Sequence, residues 1–270
     1  MNVLITGALG GIGKAVTNYF IKKGLTVYAI DVLDDCTLPG VNYYKGDITD
    51  KNSLNSILDK LKANGVILDA IINVAGIFYI DSFIEISDEN LKKIFDINLM
   101  GAMLVNKTFY PLLSKKGKIL ITTSEVAPLS PMPFNAIYNT TKTALEAYAK
   151  GLRQELNLLG QKVISIRPGA FNTSLSQGAL VKTKELQDKT TLYKKQSGKF
   201  YRLVKGFMGT PKNPDKIAKT YYLALTSKKN KIVYKKNTNK LLKLLSIFPD
   251  RLQCFIIKLV LKPKKTKKSK

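Results

Sequence analysis

A tyrosine and a lysine stand four residues apart in Tyr138-Asn139-Thr140-Thr141-Lys142, a spacing that puts both on one helix face and lets them act on one atom. The pair could serve as a proton-transfer centre. A free phenol has a pKa of ~10, so proton exchange near neutral pH requires a lowering worth about 4 kcal/mol. A cation about 4 Å away at an effective dielectric near 20 supplies a similar amount, which makes Lys142 a suitable neighbour. The pattern recurs at Tyr19/Lys23 and Tyr201/Lys205. With 13 tyrosines and a lysine at about one position in seven, chance alone supplies about two such pairs. Those two read as an aromatic on a buried helix face beside a solvated lysine. The rest of the chain must decide for Tyr138.

The inventory narrows the chemistry. There is no histidine, and Cys36 and Cys254 are the only cysteines. A Ser-His-Asp triad, a Cys-His nucleophile and a zinc site are thereby excluded, and no metal is expected. A disulfide framework is not expected either, which suits a reducing cytoplasm. No run of about 18 apolar residues could span a bilayer, and the first residues enter a strand pattern without a basic region ahead of it. A cytoplasmic protein is expected. The net charge of +25 reads either as a solvated, lysine-rich surface or as contact with anionic lipid, nucleic acid or substrate.

Hydrophobic patterning supplies the elements around the pair. Asn2–Thr6 is an apolar run that enters Thr6-Gly7-Ala8-Leu9-Gly10-Gly11-Ile12-Gly13, after which Ala15, Val16, Tyr19 and Phe20 recur at helical spacing. Strand, glycine loop and helix in that order form a nucleotide-binding signature, because glycines admit a pyrophosphate and the N–H groups at the helix start hold it. A second strand, Leu25–Ile30, ends in Asp31. A carboxylate there accepts hydrogen bonds from ribose hydroxyls and repels a 2′-phosphate, so NAD is favoured over NADP. A third strand near Val41–Tyr44 leads to Asp47, placed to meet the adenine, and to Ile48. Leu54, Ile57, Leu58 and Leu61 mark a helix over 51–64, and Asp69–Asn73 a buried strand before Val74-Ala75-Gly76.

Ser87 can cap a long helix to about Tyr110 that contains Asn98, and the strand Ile119–Thr123 ends in Ser124. A hydroxyl there lies where a parallel sheet places its ligand chemistry. A proline-rich loop precedes the helix of Tyr138 and Lys142. That helix runs to Gly160 and is apolar on more than one face, so a partner subunit is expected over part of it. Val163–Arg167 is the next strand, followed by Pro168-Gly169. Residues 170–209 lack clean periodicity and are expected to form an irregular segment over the substrate. Pro211–Thr226 reads as a helix and Lys231–Tyr234 as the last strand. Unbroken alternation of strand and helix implies an α/β fold: a doubly wound, parallel, Rossmann-type sheet in one domain over 1–235.

In order, Thr6-Gly7-x-x-x-Gly11-x-Gly13, Asn73-x-Ala75-Gly76, Asn98, Ser124, Tyr138-x-x-x-Lys142 and Pro168-Gly169-x-x-x-Thr173 resemble the motif series of the short-chain dehydrogenase/reductase family. The resemblance covers roughly residues 1–235 and implies hydride transfer between NAD(H) and a secondary alcohol or ketone. It makes Tyr138 the general acid/base and Ser124 the group orienting the substrate oxygen. Lys142 would hold the nicotinamide ribose and lower the tyrosine pKa, and Asn98 would anchor a relay water. Gly7, Gly11, Ile12, Gly13, Asp31, Asp47, Ile48, Asn73, Ala75, Tyr138, Lys142, Pro168, Gly169 and Thr173 would line the cofactor. Three features depart from the pattern: valine at Val74, a spacing from Ser124 to Tyr138 one residue longer than the commonest, and Glu125 directly after Ser124, which reads either as pointing to solvent, the favoured reading, or as a hydrogen-bond partner for a polar substrate group. Thr6-Gly7-x-x-Gly10-x-x-Gly13 also matches longer nucleotide-sugar epimerases, whose extra substrate domain has no counterpart here.

Residues 236–270 form a basic, apolar extension. Leu241, Leu242, Leu244, Leu245, Ile247 and Phe248 precede Pro249, and Leu252, Phe255–Ile257 and Leu259–Leu261 follow, before a lysine-rich tail from Lys264. Too interrupted to span a membrane, the extension suits an anionic membrane surface, a lid over a lipophilic substrate, or an interface in a homodimer or homotetramer. Nucleic acid is disfavoured, since no reader fold or aromatic platform accompanies the charge. The rival to an enzyme is a non-catalytic dinucleotide-binding protein recruited by this basic segment.

Overall fold

The computed structural model describes residues 1–36, 38–207, 212–229 and 231–262, with the backbone alone for 174–177 and 207. The lysine-rich tail and Pro211 lie outside the described residues. Seven strands, β1 (Asn2–Thr6), β2 (Thr26–Asp31), β3 (Asn42–Lys45), β4 (Leu68–Asn73), β5 (Leu113–Thr122), β6 (Lys162–Pro168) and β7 (Val233–Lys236), form one parallel sheet in the order β3-β2-β1-β4-β5-β6-β7. The chain order reverses direction at β1. The loops after β1 and β4 therefore diverge and open a crevice at the carboxyl edge.

Alternation along the strands sends successive side chains to opposite layers. Val3 and Ile5 pack with Val16 and Phe20 of α1 (Gly11–Lys22) and with Ile217 and Tyr221 of α8 (Asp215–Thr226). Leu4 packs on the other face with Leu54 and Ile57 of α2 (Lys51–Ala63), Val105 and Phe109 of α4 (Gly101–Phe109), and Leu145 and Ala149 of α5 (Ala136–Asn157). Both faces of the sheet are covered, which is why its strands read as continuous apolar runs. The short α3 (Asp88–Phe95) starts at Ser87, whose Oγ accepts from Asn90 N at 3.3 Å.

Two stretches differ from the sequence reading. The helix expected from Ser87 to Tyr110 is interrupted by a π-helical turn, Asp96–Met100, between α3 and α4. One residue of slack in the helix turns Asn98 inward, where it is buried. Residues 170–209, expected to be irregular, contain α6 (Ser174–Lys189) and α7 (Lys194–Phe207). Their inward positions, Ala179, Thr183 and Leu186, then Ser197 and Phe200, do repeat at helical spacing. Several are hydroxyls, so a hydrophobicity pattern does not reveal them. Each hydroxyl is satisfied within its own helix: Thr183 Oγ1 donates to Ala179 O at 2.6 Å and Ser197 Oγ to Lys194 O at 3.0 Å.

The extension breaks at Pro249 into α9 (Lys240–Leu245) and α10 (Asp250–Leu261). β7 ends at Lys236, so the boundary read at residue 235 falls inside a strand. α10 buries Leu261 in a small cluster with Ile80, Phe134, Leu186 and Phe200.

Candidate active site

The carboxyl edge holds a cleft of about 720 Å³. Its floor begins at the glycine loop. Gly7 has φ 64°, and a Cβ there would lie 2.6 Å from the Ala75 Cα, so the turn after β1 nests directly on the turn after β4. Thr173 packs against Gly11, leaving no room for a side chain. Gly10 caps α1 without a side-chain bond, and no acid occupies the first turn. The helix start is thus free to receive an anion from the cleft, as a dinucleotide pyrophosphate requires. At the far end, Asp31 Oδ2 accepts from Leu9 N at 2.9 Å and Oδ1 from Val32 N at 2.9 Å, which fixes the carboxylate at the cleft wall. Asp47 Oδ1 accepts from Thr49 N and Oγ1 at 2.8 Å each. These residues fit a dinucleotide.

The opposite wall carries Ser124, Tyr138 and Lys142. Ser124, two residues beyond β5, stands beside the Tyr138 phenol and favours its ionised form, and both residues are buried. Lys142, one turn further along α5, donates its Nζ to Thr122 O at 3.2 Å and lies 5.8 Å from the Tyr138 ring centroid. Phe78 packs edge-on against the phenol ring with centroids 4.8 Å apart. Burial pushes the Tyr138 phenol up to about 12, against the Ser124 bond and with the Glu125 charge adding to the rise. Burial also draws the Lys142 ammonium down to about 8. The direction for Tyr138 reverses the sequence expectation. Desolvating the phenolate costs more than the Ser124 bond returns.

A family model described as short chain dehydrogenase matches residues 1–183. The chain belongs to the short-chain dehydrogenase family. It is 36% identical over 186 residues to the NADPH-dependent 1-acyldihydroxyacetone phosphate reductase of Schizosaccharomyces pombe, a match covering 66% of this chain and 62% of that one. It is 31% identical over 190 residues to estradiol 17-beta-dehydrogenase 2 of Mus musculus, covering 64% of this chain and 49% of that one. The chain thus spans about half to three-fifths of these relatives. A short chain dehydrogenase family protein of Francisella tularensis superposes with a TM-score of 0.70 at 25% identity, over 87% of this chain and 96% of that one. A short chain dehydrogenase of Burkholderia cenocepacia, in complex with NADP, shares the fold at a TM-score of 0.69 and 19% identity, over 97% of this chain and 98% of that one.

In this family member the cleft is lined by Gly7, Gly11, Ile12, Gly13, Asp31, Asp47, Ile48, Ala75, Ser124, Tyr138, Lys142, Pro168, Gly169 and Thr173, all named from sequence. Asn73 is an exception. It is buried behind the cleft, where its Nδ2 donates to Asn106 Oδ1 at 2.7 Å, because the last residue of a central strand points into a helix layer rather than at the ligand. Asn98 also lies behind the lining. Its Oδ1 accepts from Ile77 N at 2.8 Å and its Nδ2 donates to Ile77 O at 2.9 Å and Thr141 Oγ1 at 3.2 Å, so its side chain pins the turn beside Tyr138. Of the rival pairs, Lys23 lies over the Tyr19 and Tyr222 rings, a packing arrangement outside this cleft.

Glu125 does not point to solvent. Its carboxylate accepts the backbone N–H of Asn239 at the start of α9 and faces the cleft, and burial pushes its carboxyl up. Other contributors lack any sequence signal. Glu85 accepts from Thr190 Oγ1, Thr191 N and Oγ1, and Leu192 N at 2.6–3.1 Å, bonds that hold its carboxyl down at about 2. Asp81 pairs with Lys189. Together they tie the α6–α7 junction to the loop after β4 and so fix the cover over the substrate end. Asn135, at the N-cap of α5, carries a buried Oδ1 without a partner beside the cleft.

Proposed function

We propose that the protein is an NAD(H)-dependent oxidoreductase that interconverts a secondary alcohol and a ketone. The observation that carries this reading is the convergence of Ser124, Tyr138 and Lys142 on the cleft that also holds the glycine loop and Asp31. When bound, a nicotinamide dinucleotide supplies or accepts the hydride. The pyrophosphate would rest on the start of α1, the adenosine ribose against Asp31 and the nicotinamide ribose against Lys142. Tyr138 gives a proton to the carbonyl oxygen as the carbon is reduced, or takes the hydroxyl proton in the reverse direction, while Ser124 holds that oxygen. With burial pushing the phenol up to about 12, the protonated donor form prevails at neutral pH, so oxidation should gain with rising pH. Asp31 supports NAD over NADP through repulsion of a 2′-phosphate. The S. pombe relative is NADPH-dependent by its name, so both cofactors belong in the assay.

The half-exposed Ala144, Tyr148 and Leu152 of α5 support a homodimer or homotetramer. Among the described residues no helix is long and apolar enough to cross a membrane; a cytoplasmic enzyme is the reading that the cysteine usage supports.

The test is cofactor-linked turnover over a panel of steroid, fatty, sugar and short-chain alcohols and ketones. Tyr138→Phe should lower turnover roughly 10²–10⁴-fold and leave dinucleotide binding intact. Tight dinucleotide binding with no turnover of any compound would favour the non-catalytic rival.

A further inference from the structure

Alongside the cofactor cleft lies a second, smaller chamber of about 200 Å³. Phe78, Glu125, Asn135 and Ala170 line both, so the chamber opens onto the space in front of Tyr138. Its remaining wall is largely apolar: Ile80 and Met132 below, Phe200, Leu203 and Val204 from α7, and Leu242 from α9. It suits a hydrocarbon portion of a substrate whose carbonyl reaches Tyr138.

The helix that roofs this chamber has a second apolar face. Leu242 turns inward, whereas Leu241 and Leu244 are exposed, as is Ile247 just past the helix, at 72%. α10 repeats the arrangement. Gln253 and Leu261 are buried against the protein, while Leu252, Phe255 and Leu259, at helical spacing, face outward, Phe255 at 57%. Exposed apolar side chains this dense, on the outer side of two consecutive helices, mark a docking surface. Charge identifies what docks. Between residues 240 and 262 stand Lys240, Lys243, Arg251, Lys258 and Lys262 against a single acid, Asp250, and all six are exposed. An apolar stripe fringed by cations matches the boundary between acyl chains and anionic headgroups.

We propose that α9 and α10 seat the protein on an anionic bilayer, and that a lipid-soluble ketone or alcohol reaches Tyr138 from that surface through the chamber beneath α9. The seat is independent of the redox reading; the route rests on it. α9 is fastened at its start by the Asn239 N–H to Glu125, and Asn239 Oδ1 caps it by accepting from Leu241 N at 2.9 Å and Leu242 N at 3.2 Å. The membrane-facing helix is thereby tied to the residue beside Ser124.

The test floats the full chain with vesicles of phosphatidylcholine containing about one-quarter phosphatidylserine, and with phosphatidylcholine alone, at low and high salt. The wild type should float with the mixed vesicles and be released by salt. The double variant Phe255→Ser/Leu259→Ser, which touches neither cleft nor chamber, should bind roughly tenfold more weakly. It should melt at the same temperature and reduce a water-soluble ketone at the wild-type rate, yet lose the wild type's advantage on a long-chain ketone dissolved in the vesicles. No flotation, or equal flotation by the variant, overturns the seat. Light scattering that finds a wild-type dimer split by the double substitution assigns the face to a second copy instead and overturns it too. Flotation without turnover of any ketone overturns the route and leaves the seat standing.

Discussion

Around the sheet, Leu4, Ile5, Val16, Phe20 and Tyr221 are fully buried in two continuous clusters, one on each face. In the layer of α6, α7, α9 and α10 the corresponding cluster has, among the described residues, three buried helix members, Leu186, Phe200 and Leu261, with Ile80 and Phe134 from neighbouring loops, and the outer faces carry exposed leucines and phenylalanines. The sheet side holds Ser124, Tyr138 and the glycine loop; the cover side supplies the chamber wall. A proton acceptor must be held within a fraction of an ångström, which a packed core supplies. A cover that admits substrate needs a lower local stability, and here polar anchors, Glu85 and Asp81, tie it down in place of extensive apolar packing. On the proposed reading the chemistry sits on the rigid region and the choice of substrate falls to the looser one.

Substitutions in the two regions should therefore separate. Phe20→Ala, between α1 and the sheet, should cost about 3–5 kcal/mol of global stability, read as a lower midpoint in urea unfolding of the whole protein. An unchanged midpoint would contradict the division. Within the rigid region, Lys142 is held at a cost. Its folded pKa is drawn from 10.5 to about 8, so the stability it withholds is restored as pH rises from about 8 towards 10.5. Lys142→Met should make the dinucleotide-free protein more stable by about 3 kcal/mol at pH 7, with the difference fading across that window, and should abolish turnover. Thermal melts of both proteins from pH 7 to pH 10 check the sign.

In the cover, Leu261→Ala should remove about 2 kcal/mol of local packing. It should speed hydrogen exchange in α10 and raise KM while the urea midpoint of the sheet stays unchanged. The smallest effect is expected at the adenosine end. Asp31→Ala should shift kcat/KM towards NADP(H) over NAD(H) by about tenfold, or about 1.4 kcal/mol, and an unchanged ratio would remove Asp31 from cofactor selection.

The same division governs what could be read before the fold was seen. The glycine loop, Asp31, Ser124, Tyr138 and Lys142 are legible because their chemistry depends on residue type at fixed spacing along one strand or one helix. The strands flanking them announce themselves as apolar runs because both faces of the sheet are covered. α6 and α7 are less legible. Thr183, Thr190 and Ser197 are buried through bonds to backbone carbonyls or to Glu85, so polarity along the chain misreports which face is inside.

The sequence by itself determined the parallel sheet and the glycine loop and singled out Tyr138 and Lys142 as the proposed proton-transfer pair, since each rests on local periodicity or on a motif a few residues long. Tertiary structure alone decided that Glu125 meets the backbone of Asn239, 114 residues away, that a π turn carries Asn98 behind the cleft, and that Leu242 faces a chamber while Leu241 faces outward. It also decided the direction of the Tyr138 shift. Spacing puts a cation near the phenol, but desolvation is a property of everything packed around it, and in this fold that contribution is the larger one.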